Sequence, residues 1–110
     1  MRILGTHHIA VICSDYGRSK DFYTRILGLE VVSEVYRADR DSYKLDLRLP
    51  DGTQVELFSF PDPPKRASYP EACGLRHLAF RVEDIGAAVR QLEGMGVAAE
   101  PVRVDEHTGK

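Results

Sequence analysis

Ten residues of this chain are written twice. Residues 6–15, Thr-His-His-Ile-Ala-Val-Ile-Cys-Ser-Asp, correspond to residues 75–84, Leu-Arg-His-Leu-Ala-Phe-Arg-Val-Glu-Asp. At this offset His8 meets His77, Ile9 meets Leu78, Ala10 meets Ala79, Val11 meets Phe80 and Asp15 meets Asp84. An apolar pattern at helical spacing follows each Asp, so the chain should fold as two like modules that each begin strand then helix. If the modules pack about a pseudo-twofold axis, equivalent strand positions converge. The two imidazoles then become candidate ligands for one metal ion.

Residues 7–13 read as a strand, a β-branched and apolar run bounded by Gly5 and by Ser14-Asp15. Alternation puts Ile9 and Val11 on one face and His8, Ala10 and Ile12 on the other. Asp15 or Ser14 caps a helix carrying Tyr16, Phe22, Tyr23, Ile26 and Leu27 at helical spacing, and Gly28 ends it. Strands are expected at residues 30–37, 43–49 and 54–60, the last two joined by the turn Pro50-Asp51-Gly52-Thr53. The first module, about residues 5–60, is therefore βαβββ. Residues 61–73 form a linker, with prolines at 61, 63, 64 and 70. A partial second module covers about 74–110: a strand at 75–82, a helix capped by Asp84 with Ile85, Ala88, Val89 and Leu92 inward, and a strand at 97–104. Two strands of the first module have no counterpart, and a truncated sequence is the simplest reading. The fold class is α+β, with paired βαβββ modules of which the second is incomplete.

Composition narrows the partners. A net charge of −2 with scattered Lys and Arg leaves no footprint for nucleic acid or an anionic membrane. No apolar run approaches the ~20 residues of a membrane span, and the start is too short for a signal peptide. Cys13 and Cys73 form no zinc-type spacing and suit reduced thiols. A cytoplasmic location follows. A 110-residue chain buries only about 65% of its unfolded surface, so further burial in a homodimer would be useful.

A lone strand histidine is usually structural, but two at equivalent places in a repeat are not two independent accidents. Each has an alanine two residues on, which leaves space on the same strand face. His7, with Arg76 at its equivalent position, has no repeat partner and is read as structural, facing the other way. Glu56 shares the alternating face of Phe58 and Phe60, where a buried carboxylate needs a cation or strong donors. A salt bridge to a nearby Arg or Lys, or exposure of that face, is the other reading. Beside two histidines, ligation of an ion is the better account. His8, Glu56 and His77 make a mixed N/O set suited to a divalent transition metal (Zn, Ni, Mn, Fe or Co) rather than Ca or Mg. Glu56 follows His8 by forty-eight residues, and the same step from His77 falls near position 125, past Lys110. Arg37, Arg40, Lys44, Lys65 and Arg66 can hold an anionic substrate, although such charges are usually solvated.

Four stretches together carry a family resemblance. They are residues 7–15, residues 19–29 (Ser-Lys-Asp-Phe-Tyr-Thr-Arg-Ile-Leu-Gly-Leu), residues 55–58 (Val-Glu-Leu-Phe) and residues 74–85 (Gly-Leu-Arg-His-Leu-Ala-Phe-Arg-Val-Glu-Asp-Ile). In that order they resemble the vicinal oxygen chelate superfamily, and most of all its short glyoxalase I-like proteins. The resemblance implies a cupped sheet around a divalent metal, commonly in a dimer whose sites draw on both chains. His8 matches the first-strand histidine ligand, Glu56 the fourth-strand glutamate and His77 the first-strand histidine of the second module. The family's last glutamate, a leading candidate for the proton-shuttling base in glyoxalase I, has no matching position.

Relatives that cleave aromatic rings or add thiols to fosfomycin typically lack a glutamate at the position of Glu56, and methylmalonyl-CoA epimerase usually has Gln there. Glu56 thus favours a metal-dependent glyoxalase I-like lyase or isomerase. Its expected substrate is a small vicinal-oxygen compound of the hemithioacetal type, handled through a metal-stabilised enediolate, with Glu56 as ligand and base. A thiol such as glutathione is a possible cosubstrate. The alternatives are another enzyme of the superfamily, an extradiol dioxygenase or thiol transferase, and a non-enzymatic small-molecule binding protein of the bleomycin type.

Overall fold

The computed structural model describes residues 1–110. The chain divides into two compact units, Met1–Pro70 and Glu71–Lys110.

The first unit is a βαβββ module. Strand β1 (His8–Cys13) leads into helix α1 (Tyr16–Asp21), whose N-terminus is capped by Asp15: its carboxylate accepts from the Arg18 amide at 3.1 Å. The helix does not simply continue to Gly28. Residues Phe22–Ile26 widen into a π-helical turn, in which the Leu27 amide donates to the Phe22 carbonyl. Gly28 at φ +72° and a bond from the Leu29 amide to the Tyr23 carbonyl then close the helix. Strands β2 (Glu30–Arg37), β3 (Ser42–Arg48) and β4 (Gln54–Ser59) follow. The β3–β4 turn is the one expected: Gly52 takes φ +90°, and the Thr53 amide donates to the Asp51 carboxylate at 2.9 Å.

The sheet order is β1-β4-β3-β2, with β1 parallel to β4 and the other pairs antiparallel. Alternation sorts its two faces. One carries Leu45, Leu47, Val55 and Leu57, all 0% exposed, and the rows they form run on to Val11 and Ile9 of β1. α1 lies on this side, since the Tyr16 ring stacks on Tyr43 at 4.9 Å, and Tyr16 Oη and Lys20 Nζ both donate to the Glu34 carboxylate. Burying four aliphatic side chains at about 1.5–3 kcal/mol each is what holds the sheet to its helix. The opposite face, with His8, Ala10, Ile12, Glu56 and Phe58, has no such cover, and Ile12 is 61% exposed.

The second unit contains one regular element, α2 (Ile85–Gly94). Asp84 caps it as expected, accepting from the Ala87 amide at 3.0 Å. Ala88, Val89 and Leu92 are half-buried, whereas Ile85 is exposed. The strands expected at 75–82 and 97–104 are not formed: neither stretch belongs to a sheet. A strand exists only through the ladder it makes with another, so the apolar pattern alone cannot produce one. No helix is long and apolar enough to cross a membrane.

Candidate metal half-site on the open sheet face

β1 and β4 run parallel with His8 beside Gln54 and Ala10 beside Glu56. This register places the imidazole of the sheet's first position diagonally across from the Glu56 carboxylate, and His8 Nε2 stands 4.0 Å from Glu56 Oε1. The His8 side chain is 45% exposed and that of Glu56 16%. No Lys or Arg is paired with Glu56, whose ion-pair neighbour is His8; the face itself is uncovered, although Glu56 is only 16% exposed on it. Ala10, the residue beside Glu56 on β1, is exposed.

Two donors on one tetrahedral ion with bonds of about 2.0–2.2 Å lie about 3.3–3.6 Å apart. The observed 4.0 Å is about half an ångström wider, a gap that a side-chain adjustment would close, and an imidazole with a carboxylate is a fitting donor pair for a divalent transition metal. The third expected ligand, His77, belongs to the second unit, where it is exposed in a stretch without regular structure. No group of three His, Cys, Asp or Glu side chains is gathered to hold one ion. The first unit thus presents two donors and leaves the remaining positions open.

His7 departs from its expected role. It precedes β1 rather than belonging to it, so strand alternation does not turn its ring away. Its carbonyl accepts from the Gln54 amide, and its Nδ1 lies 2.8 Å from His8 Nδ1, the rings meeting edge to face. Two Nδ1 atoms can bond only when one carries the proton. With His8 as donor, its Nε2 keeps the lone pair on the Glu56 side.

Sequence reasoning also passed over Asp46. It sits beside Glu56 across the β3–β4 ladder, and its Oδ1 is buried with no hydrogen bond, 3.6 Å from Lys44 Nζ. Its Oδ2 accepts from Ser33 Oγ at 3.2 Å. Alternation along β3 gave its face, but only the strand register makes it the neighbour of Glu56. Arg37 and Lys44, two of the five basic residues considered as anion-holding candidates, come together around the Phe58 ring, at 5.0 and 6.0 Å from its centroid. Cys13 is buried and Cys73 exposed, and neither joins the pair.

Comparison with known proteins agrees with this architecture. Residues 5–110 match the model of the Glyoxalase/Bleomycin resistance protein/Dioxygenase superfamily, and the chain belongs to that family. It is 54% identical over 110 residues to YwkD of Bacillus subtilis (strain 168), covering all of this chain and 86% of the relative. To YaeR of Escherichia coli (strain K12) it is 60% identical over 104 residues, covering 94% and 81%. The crystal structure of a glyoxalase family protein from Enterococcus faecalis superposes with a TM-score of 0.89 at 44% identity, over 99% of this chain and 86% of that one. Relatives differ in what they do. A 2-epi-5-epi-valiolone epimerase from Actinomyces sp is 28% identical over 122 residues, covering 94% and 67%. The fosfomycin resistance protein FosX of Listeria monocytogenes, crystallised with Mn(II), shares the fold at 18% identity and a TM-score of 0.69, over 96% and 79%.

Proposed function

We propose that this protein is a metal-dependent lyase or isomerase of the glyoxalase type, acting on a small substrate with two adjacent oxygens. The observation that carries the reading is the His8–Glu56 pair, two donors of different chemistry 4.0 Å apart on neighbouring strands with no basic residue paired to Glu56. His8 and Glu56 are metal ligands, and His77 supplies a third when two copies pair as a homodimer. A divalent ion there would polarise the two substrate oxygens and make the proton on the hydroxyl-bearing carbon, next to the carbonyl, easier to remove.

The chain's own residues do the rest. Glu56 is the base: its carboxylate takes that proton and returns it to the adjacent carbon, so that no net charge is left behind. Ala10 keeps the space beside it clear for the substrate. His7 holds the His8 ring through the Nδ1 contact. The epimerase relative supports this class of chemistry, since epimerisation is commonly the same removal and return of a proton on carbon. A thiol such as glutathione as cosubstrate, and action in the cytoplasm, complete the proposal.

Metal analysis of the purified chain, set beside His8→Ala, Glu56→Ala and His77→Ala, tests it. The expected result is close to one divalent ion per chain in the wild type and under a tenth of that in the first two variants. Hemithioacetals formed from methylglyoxal with glutathione and with other thiols then serve as substrates for the metal-loaded protein. Full metal content in both His8→Ala and Glu56→Ala would sink the assignment.

A further inference from the structure

The sheet face that carries His8 and Glu56 continues along β4 to Phe58, and beyond it lies a cation without a counter-ion. Arg37, at the end of β2, sits with its Cζ 5.0 Å from the Phe58 centroid and 5.8 Å from that of Phe60, the two rings being stacked on each other. A guanidinium has five N–H donors. One, on Nη2, goes to Ser42 Oγ at 3.0 Å; Nε is buried and has no partner. Lys44, whose Nζ is 6.0 Å from the same centroid, differs in having Asp46 at 3.6 Å. A half-buried arginine whose polar partner is one neutral hydroxyl is an expensive arrangement unless something anionic completes it.

The geometry points to an oxyanion-binding subsite at Arg37, which takes the carboxylate or phosphate end of the substrate. An aromatic face attracts the guanidinium while leaving its N–H edge unspent, and that edge matches the paired oxygens of either anion. Phe58 follows Glu56 by two residues on one strand, a rise of about 7 Å, so the ends of the substrate lie on the order of 10 Å apart. The inference rests on the proposed function for the identity of the other end: a molecule with adjacent oxygens at His8 and Glu56, an apolar or flat middle over Phe58, and an anionic terminus at Arg37. Lys44 adds a second positive charge beside the path.

Amide NMR titrations of the whole, metal-free chain with inorganic phosphate and with acetate, at constant ionic strength in chloride, test the subsite. Phosphate should move the signals of Arg37, Ser42, Lys44 and Phe58 as one saturable set, and Arg37→Gln should weaken binding at least tenfold. Arg37→Lys, which keeps the charge and loses the fork, should fall between the two. Acetate binding at the same residues assigns a carboxylate terminus as well as a phosphate one, and phosphate binding alone assigns a phosphate ester. Unchanged phosphate affinity in both Arg37 variants, or shifts scattered over the surface without saturation, would overturn the subsite. Zinc titration of the same samples separates the two proposals. His8→Ala should lose zinc and keep phosphate binding, and Arg37→Gln should keep zinc, which also shows that its sheet is intact. A wild type that ignores zinc but binds phosphate through Arg37 would leave this subsite standing and remove the metal reading.

Discussion

The same sequence pattern has two outcomes in one chain. In the Met1–Pro70 unit, residues 8–13 are a strand because β4 lies alongside and completes their ladder; in the Glu71–Lys110 unit, the matching stretch joins no ladder and forms no strand. The helices behave alike. Asp15 and Asp84 each accept from the amide three residues on, and a helix follows each. A helix satisfies its own backbone within one segment, so its local signal is enough. A strand borrows its partners from elsewhere, and the same letters therefore mean strand in one unit and irregular chain in the other.

The largest effect that separates the units is on their cores. Leu57→Ala removes a side chain with no exposure and should cost about 2–5 kcal/mol in urea unfolding. Val82→Ala, in the matching strand-like stretch and 45% exposed, should stay within about 0.5 kcal/mol. Equal costs would mean that residues 75–82 are buried in solution, and would erase the contrast.

The two histidines offer a sharper test. His7→Ala should weaken zinc binding by about tenfold in calorimetry, since it removes the group that orients His8. Arg76→Ala, at the equivalent position beside His77, should do so much less. A larger loss from Arg76→Ala would reverse the ranking of the two modules.

Next come the caps. Asp15→Ala and Asp84→Ala should each cost about 1 kcal/mol of helix stability. The first should lower the unfolding midpoint, because α1 stacks through Tyr16 on the sheet, whereas the second should appear as faster amide exchange confined to α2. Global destabilisation by Asp84→Ala would show that α2 is held as firmly as α1.

The smallest effect depends on pH. Bonds from Lys20 and then Tyr16 hold the Glu34 carboxyl below the usual glutamate range, outweighing the opposing effect of burial. A carboxylate whose folded value is depressed adds stability above its unfolded value, near 4.5, and loses that stability as pH falls through the folded value. Acid unfolding of Glu34→Gln should therefore show a shallower pH dependence below about pH 4.5 than the wild type. An unchanged slope would show that the Lys20–Glu34 contact contributes nothing.

The alternation and the caps were enough to read the βαβββ order and the faces of β1, because each depends on neighbours within a few residues, while the repeat and the family resemblance put forward His8 and Glu56 as candidates. Arg37 was one of five basic residues that nothing in the sequence ranked, and Asp46 was passed over, until β2, β3 and β4 were laid side by side. His7 was misplaced because alternation holds only inside a strand, and the strand begins one residue later. Which residues share a face, and where helices start, could be read from the order of the amino acids. Which stretches join a ladder, and which charges meet across it, could not, since both are set by pairing between segments far apart in the chain.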